Sequence, residues 1–142
     1  MAGTRTLNIV FMILGIIGPL AIILFVFDRY PTGGWTYAGL AIFFPSLILW
    51  AIAHIQLGRS FTVRARAQEL VTNGIYSKVR HPIYVFGFLV LLSLVVCARR
   101  PEWLVLLALL VPVQLRRVRN EERALEAKFG QAYVEYKRRT WF

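Results

Sequence analysis

Apolar and polar positions divide this chain into long hydrophobic runs separated by short turns and two basic stretches. Positions 7–27 hold no charged residue and are long enough to cross about 30 Å of hydrocarbon as a helix. Gly15, Gly18 and Pro19 lie inside the run; membrane helices tolerate such residues, and small ones let a neighbour approach. The run is longer than a secretory h-region and no A-x-A site follows it, so it predicts a retained span. Asp28 to Gly34 reads as a turn. Trp35 to Leu57 predicts a second span, opened by Trp35 and Tyr37 as an interfacial belt and kinked at Pro45.

Gly58 to Arg80 reads as a long polar connection. Within it Phe61, Val63, Ala65 and Ala67 alternate with Thr62, Arg64, Arg66 and Gln68, and this period of two predicts an extended surface segment. Asn73-Gly74 predicts a tight turn. Ile83 to Ala98 and Trp103 to Leu115 are shorter apolar runs joined by Arg99-Arg100-Pro101-Glu102. Pro101 stops a helix, and so short a joint predicts an antiparallel hairpin. From Arg116 the chain turns polar. Leu125, Phe129, Ala132, Tyr133 and Tyr136 recur at helical spacing and predict an amphipathic cytoplasmic helix, weakened at Gly130.

The pattern thus predicts an all-α integral membrane protein of about four transmembrane helices. A C-terminal helical hairpin belongs to this set, and the amphipathic tail helix follows it. Composition agrees: 58% of the 142 residues are hydrophobic, mean hydropathy is +0.59, yet the net charge is +10. The length suits one domain, 1–142, with two spans in 1–57 and a core in 58–142. The charge forms no stripe on a soluble domain, which argues against nucleic acid as a partner. Arg59, Arg64, Arg66, Lys78, Arg80 and the tail's many cations outnumber Arg29, Arg99 and Arg100 of the other turns. Both termini and the 58–82 connection should therefore be cytoplasmic. Cys97 stands alone, so no intrachain disulfide or cysteine metal site is expected.

Two groups of residues could carry chemistry. In Arg80-His81-Pro82-Ile83-Tyr84, Pro82 fits the first turn of a helix, and His81 would sit beside backbone N–H groups that favour a carboxylate. The bland alternative is an interfacial cap, with Arg80 on lipid phosphate. Arg117 and Glu121 share a helix face four residues apart, with Glu122 beside them. An acid there could hold an ammonium or ribose hydroxyls, and an arginine could orient a carboxylate; the alternative is a solvated ion pair. Tyr133 and Tyr136 read as packing residues for the tail. No G-x-S-x-G, Walker loop or G-x-G-x-x-G occurs, and His54 and His81 have no cysteine cluster to make a zinc site.

The run LVTNGIYSKVRHPIYVFG, followed by Arg117, Glu121-Glu122, Leu125, Phe129-Gly130, Tyr133 and Tyr136, resembles the core of the isoprenylcysteine carboxyl methyltransferases and their bacterial relatives. The resemblance covers about Leu57 to Arg139, just over half the chain. Phospholipid N-methyltransferases share a related tail pattern, and some sterol reductases a similar C-terminal architecture. The resemblance implies S-adenosylmethionine as cofactor, held on the cytoplasmic side of a multi-pass membrane protein such as those of the bacterial inner membrane. It implies cofactor contacts at Leu70 and Val71, preceded by Gln68 and Glu69, then at Tyr76, His81, Pro82, Ile83, Tyr84 and Glu121. Arg117 matches an arginine assigned to substrate and is the expected catalytic residue. The implied partner is a lipophilic or lipid-anchored acceptor reached through membrane lipid, with no metal. Many relatives continue past the position of Phe142, and the eukaryotic enzymes have more helices ahead of the core.

A carboxylate acceptor is already ionised at neutral pH and needs no general base. An amine acceptor must lose a proton first. The non-enzymatic alternative is a small scaffold whose basic tail binds anionic lipid.

Overall fold

The computed structural model describes the backbone of residues 2–64 and 70–142 and the side chains of 13–57 and 70–142. Among the described residues five α-helices follow one another: α1 Ala2–Arg29, α2 Gly34–Arg64, α3 Pro82–Ala98, α4 Trp103–Phe129 and α5 Gln131–Arg139. A 3-10 turn, Gly74–Ser77, precedes α3. No strand occurs among the described residues; Val79 and Trp141 form one isolated bridge.

The core lies where α1, α2 and α3 meet. Ile23, Val26, Phe43, Leu47, Val90, Leu94, Cys97 and Ala98 bury one another there, with Trp50 and Trp103 packed at the edge. Gly39 sets the closeness of α2 and α3. A Cβ at that position would lie 2.9 Å from the backbone nitrogen of Cys97 and 2.9 Å from the carbonyl of Ser93. Ser93 is fully buried, and its hydroxyl returns a 2.6 Å hydrogen bond to the Val90 carbonyl, which satisfies it within its own helix.

The outer faces are apolar as well. Leu24, Phe25, Ile48, Val105, Leu106 and Leu109 are all exposed, an arrangement that water disfavours and hydrocarbon does not. Within α2, Gly34–Leu57 is long and apolar enough to cross a membrane, with mean hydropathy 2.0. Only 28% of its most apolar stretch is buried inside the protein, unlike a soluble core helix. The α3 helix is apolar but shorter.

The turns segregate. Arg100 stacks 5.4 Å over the Tyr30 ring, and the Arg99 side chain covers Gly33, so the α1–α2 and α3–α4 turns share one end of the bundle. The 3-10 turn, the polar half of α4 and α5 gather around the start of α3 at the other.

Two sequence expectations change here. The helix α2 continues to Arg64, so residues 61–64 are helical rather than extended. Nothing between Gly58 and Arg64 breaks a helix already nucleated, and each added residue gains a hydrogen bond. The remainder of the alternating segment, with Gln68 and Glu69, lies outside the described residues. The tail is also not one separate helix. The membrane-type run Trp103–Leu115 and the basic segment beyond it form the single helix α4, because no breaker stands between Leu115 and Arg116. The break comes at Gly130, whose φ of 53° and ψ of −125° suit only glycine, and α5 starts afresh after it.

Candidate active site

The site is assembled around the start of α3 by contacts from α2, α4 and α5. Gly74 adopts φ 64° in the Asn73-Gly74 turn expected from sequence, and it rests on the Gln56 side chain of α2. Gln56 Oε1 accepts from the Ile75 N–H at 3.1 Å. Tyr76 is buried and donates its hydroxyl to the Ala53 carbonyl at 3.4 Å. Tyr136 of α5 donates to the Tyr76 carbonyl at 2.7 Å. This clasp fixes the segment leading into Arg80 and His81. On the other side the backbone of 78–81 pairs with the C-terminal residues: Trp141 donates to the Lys78 carbonyl, and Arg80 donates to the carbonyls of Trp141 and Phe142.

His81 caps α3, and Pro82 takes the first helical position as the sequence suggests. The imidazole is 5% exposed. Its Nε2 lies 3.4 Å from Glu122 Oε1 and its Nδ1 4.0 Å from Glu121 Oε2. The rings of Tyr84 and Phe142 meet it edge-on at 6.0 and 6.1 Å. The Tyr84 hydroxyl lies in the opposing fields of the Glu121 carboxylate and of Arg117. Arg117 itself is exposed and makes no ion pair with Glu121 among the described residues.

Behind this front stands a charged cluster. Glu122 collects Arg80 Nη1 at 3.4 Å and Lys137 Nζ at 3.1 Å in addition to His81. Burial pushes the Glu122 carboxyl up. The hydrogen bond from Lys137, the charges of Arg80 and Lys137 and the hydrogen bond from His81 outweigh it, and the carboxyl is held below its ordinary value. Burial pushes the phenols of Tyr133 and Tyr136 up to about 12. Tyr133 is fully buried, and neither its hydroxyl nor the Arg80 Nε finds a hydrogen-bond partner among the described residues.

A cavity of about 290 Å³ opens between α3 and α4 next to this cluster. Tyr84, Val85, Phe88, Leu115, Val118 and Phe142 are among its walls, and Gln114 is a polar group in it. Tyr84, whose hydroxyl lies in the field of Glu121, stands in one wall, and apart from Gln114 the other walls are apolar.

The structure therefore gathers His81, Pro82, Tyr84 and Glu121. Leu70, Val71 and Ile83 are half-buried alongside, Tyr76 lies beneath with its hydroxyl turned to α2, and Arg117 stands at the rim. The carboxylate expected at His81 meets a different environment. The N–H groups of Arg80 and His81 already donate to the Phe142 carbonyl, and the imidazole is flanked by two acids. Arg80, which the alternative reading as an interfacial cap puts on lipid phosphate, pairs with Glu122. The sequence sets Glu122 beside Glu121 without a role of its own and does not single out Lys137 or Phe142; which acid of the doublet turns inward depends on α5.

The model of the phospholipid methyltransferase family matches residues 34–132, from the start of α2 into α5. The chain belongs to that family. Two curated relatives carry a more specific name. The protein-S-isoprenylcysteine O-methyltransferase B of Arabidopsis thaliana is 37% identical over 108 residues, 71% of this chain and 54% of the relative. The protein-S-isoprenylcysteine O-methyltransferase of Schizosaccharomyces pombe is 30% identical over 127 residues, 85% of this chain and 52% of the relative. This family member spans about half the length of the curated relatives it matches. No solved structure matches it.

Proposed function

We propose that the chain is an integral membrane methyltransferase that uses S-adenosylmethionine to methylate a lipophilic acceptor, a carboxylate such as that of a prenylated cysteine. The observation that carries this reading is the junction of the apolar cavity with the Tyr84–Glu121–His81 cluster. A lipid chain suits the cavity, and a charged soluble cofactor suits the cluster. The donor set fits such a cofactor: a carboxylate, an imidazole and a phenol at the mouth of an apolar space can meet its charged and hydroxylated parts while apolar walls take its base.

When bound, that cofactor supplies a methyl group on positively charged sulfur, already activated for in-line displacement. The chain's residues then have to position and to exclude water. Glu121, His81 and Tyr84 hold the polar parts, Leu70, Val71, Pro82 and Ile83 support them, and Tyr76 fixes the loop. Arg117 at the rim orients the acceptor carboxylate, which needs no base. The α3 and α4 walls let a lipid chain enter sideways from the bilayer.

This reading takes α1, α2, α3 and the first half of α4 as four spans, with both termini and the α2–α3 connection on the cytoplasmic side. Residues 1–142 then act as one unit, 1–57 as anchor and 58–142 as cofactor core. The family match favours a phospholipid acceptor as a second reading. The test is transfer of labelled methyl from S-adenosylmethionine by the purified protein, with a farnesylated cysteine and a phosphatidylethanolamine offered separately. Labelled ester on the former supports the first reading, labelled lipid amine the second. Label on neither, with the protein folded, counts against both.

A further inference from the structure

The adjacent acids of α4 occupy different settings. Successive helical residues diverge by about 100°. The Glu121 side chain is 42% exposed and turns to Tyr84 and Nδ1 of His81; that of Glu122 is 17% exposed and is enclosed by Arg80, His81 and Lys137. They bracket one imidazole from its two nitrogens. A carboxylate accepts hydrogen bonds and cannot donate, and a neutral imidazole carries its proton on one nitrogen. The closer acid is Glu122, at 3.4 Å against 4.0 Å, and two cations keep it ionised. It therefore claims the proton on Nε2. The lone pair of Nδ1 is then turned to the side where Glu121 stands.

We propose that Glu122 is a positioning residue that fixes His81 as its Nε2–H form, so that Nδ1 and the Glu121 carboxylate make a paired acceptor site for an ammonium group. The proposal deepens the methyltransferase reading and rests on it. The surroundings favour a cation. The neighbouring backbone N–H groups of Arg80 and His81 are taken by the Phe142 carbonyl. The Arg80 charge sits against Glu122, on the far side of the ring from Glu121. From α3, Tyr84 adds a phenol in the field of Glu121, and from the C-terminal segment Phe142 adds a ring edge and the main-chain oxygen that accepts those N–H groups. The ammonium has two chemical sources: the amino-acid part of a sulfonium nucleoside, or the head group of an amino lipid.

The test uses the full chain in detergent with ¹⁵N-labelled histidine. At about pH 8.5, above the ordinary imidazole range, long-range proton–nitrogen spectra report the tautomer of each ring, and His54→Asn identifies His81 by elimination. Calorimetry compares S-adenosylhomocysteine with its analogue bearing hydrogen in place of the amino group. Short-chain phosphatidylethanolamine is compared with phosphatidylcholine, which has no N–H to give. The expected result is the Nε2–H form and a loss of about tenfold in affinity when the amino group is removed. In Glu122→Gln that ratio should shrink to about threefold or less, and Glu122→Asp should restore it. Equal binding of the two nucleosides, with about tenfold preference for the ethanolamine head group, assigns the ammonium to the lipid and supports the site. An Nδ1–H form, or no discrimination in either arm, overturns the proposal while leaving the cofactor reading intact. If Glu122→Gln does not fold, the tautomer and the two ratios of the unmodified protein decide. Failure to bind S-adenosylhomocysteine at all overturns the reading and the proposal together.

Discussion

The Tyr136 hydroxyl of α5 donates to the main-chain carbonyl of Tyr76 at 2.7 Å, across sixty residues of sequence. The bond is buried and ties the last helix to the loop that leads into His81. Tyr136→Phe removes this donor, at a cost of about 0.5–1.5 kcal/mol. Thermal unfolding in detergent should show a lower midpoint, and proteolysis should release the C-terminal segment sooner. An unchanged midpoint would mean that α5 is not docked by this bond.

The contact at Gly39 makes a second prediction. Its neighbours are the Cys97 sulfur and two backbone atoms of α3, and the backbone atoms cannot rotate away, so Gly39→Ala should destabilise by about 1–3 kcal/mol through overpacking. Gly18 of α1 has open space around its Cβ position, so Gly18→Ala should leave stability unchanged or raise it by up to about 1 kcal/mol. Equal behaviour of the two variants would contradict the close α2–α3 approach.

Stability should fall at both ends of the pH scale, for different groups. Glu122 has a folded value below its ordinary 4.5, so its stabilisation is complete above that value and is lost as pH falls through the lower folded one. Tyr133 and Tyr136 have folded values of about 12 against an ordinary 10.0. Their contribution is present below 10 and disappears as pH rises toward 12. Fluorescence-monitored unfolding against pH should show both limbs. Glu122→Gln should flatten the acid limb and Tyr133→Phe the alkaline one; limbs unaffected by these changes would assign the transitions elsewhere.

Leu115 lines the cavity on the α4 side. Leu115→Trp should fill much of it, raising the acceptor KM by about tenfold or more while S-adenosylhomocysteine affinity changes by less than about threefold. Equal losses in both would place the cofactor, not the lipid, in the cavity.

Much of this was legible in the chain. Uncharged runs and turn residues located the helices, and the Arg80–Tyr84 and Glu121-Glu122 blocks are segments that the fold brings together, because hydrophobic period and local chemistry are written residue by residue. Alternation misled at Phe61 to Arg64, where a growing helix outweighed a period-two pattern. The polarity change at Arg116 misled too, since it marks the edge of an apolar environment rather than the end of a helix. The inward turn of Glu122 and the contact of Phe142 with His81 depend on how α5 folds back after Gly130, which no local pattern encodes.

The most direct measurement is calorimetric titration of the purified protein with S-adenosylhomocysteine, beside Glu121→Ala. Saturable binding is expected, weakened about tenfold to a hundredfold in the variant by loss of about 1.5–3 kcal/mol of charge-assisted contact. No binding to the folded protein, or equal binding to both forms, would contradict a methyl-donor pocket built on Glu121.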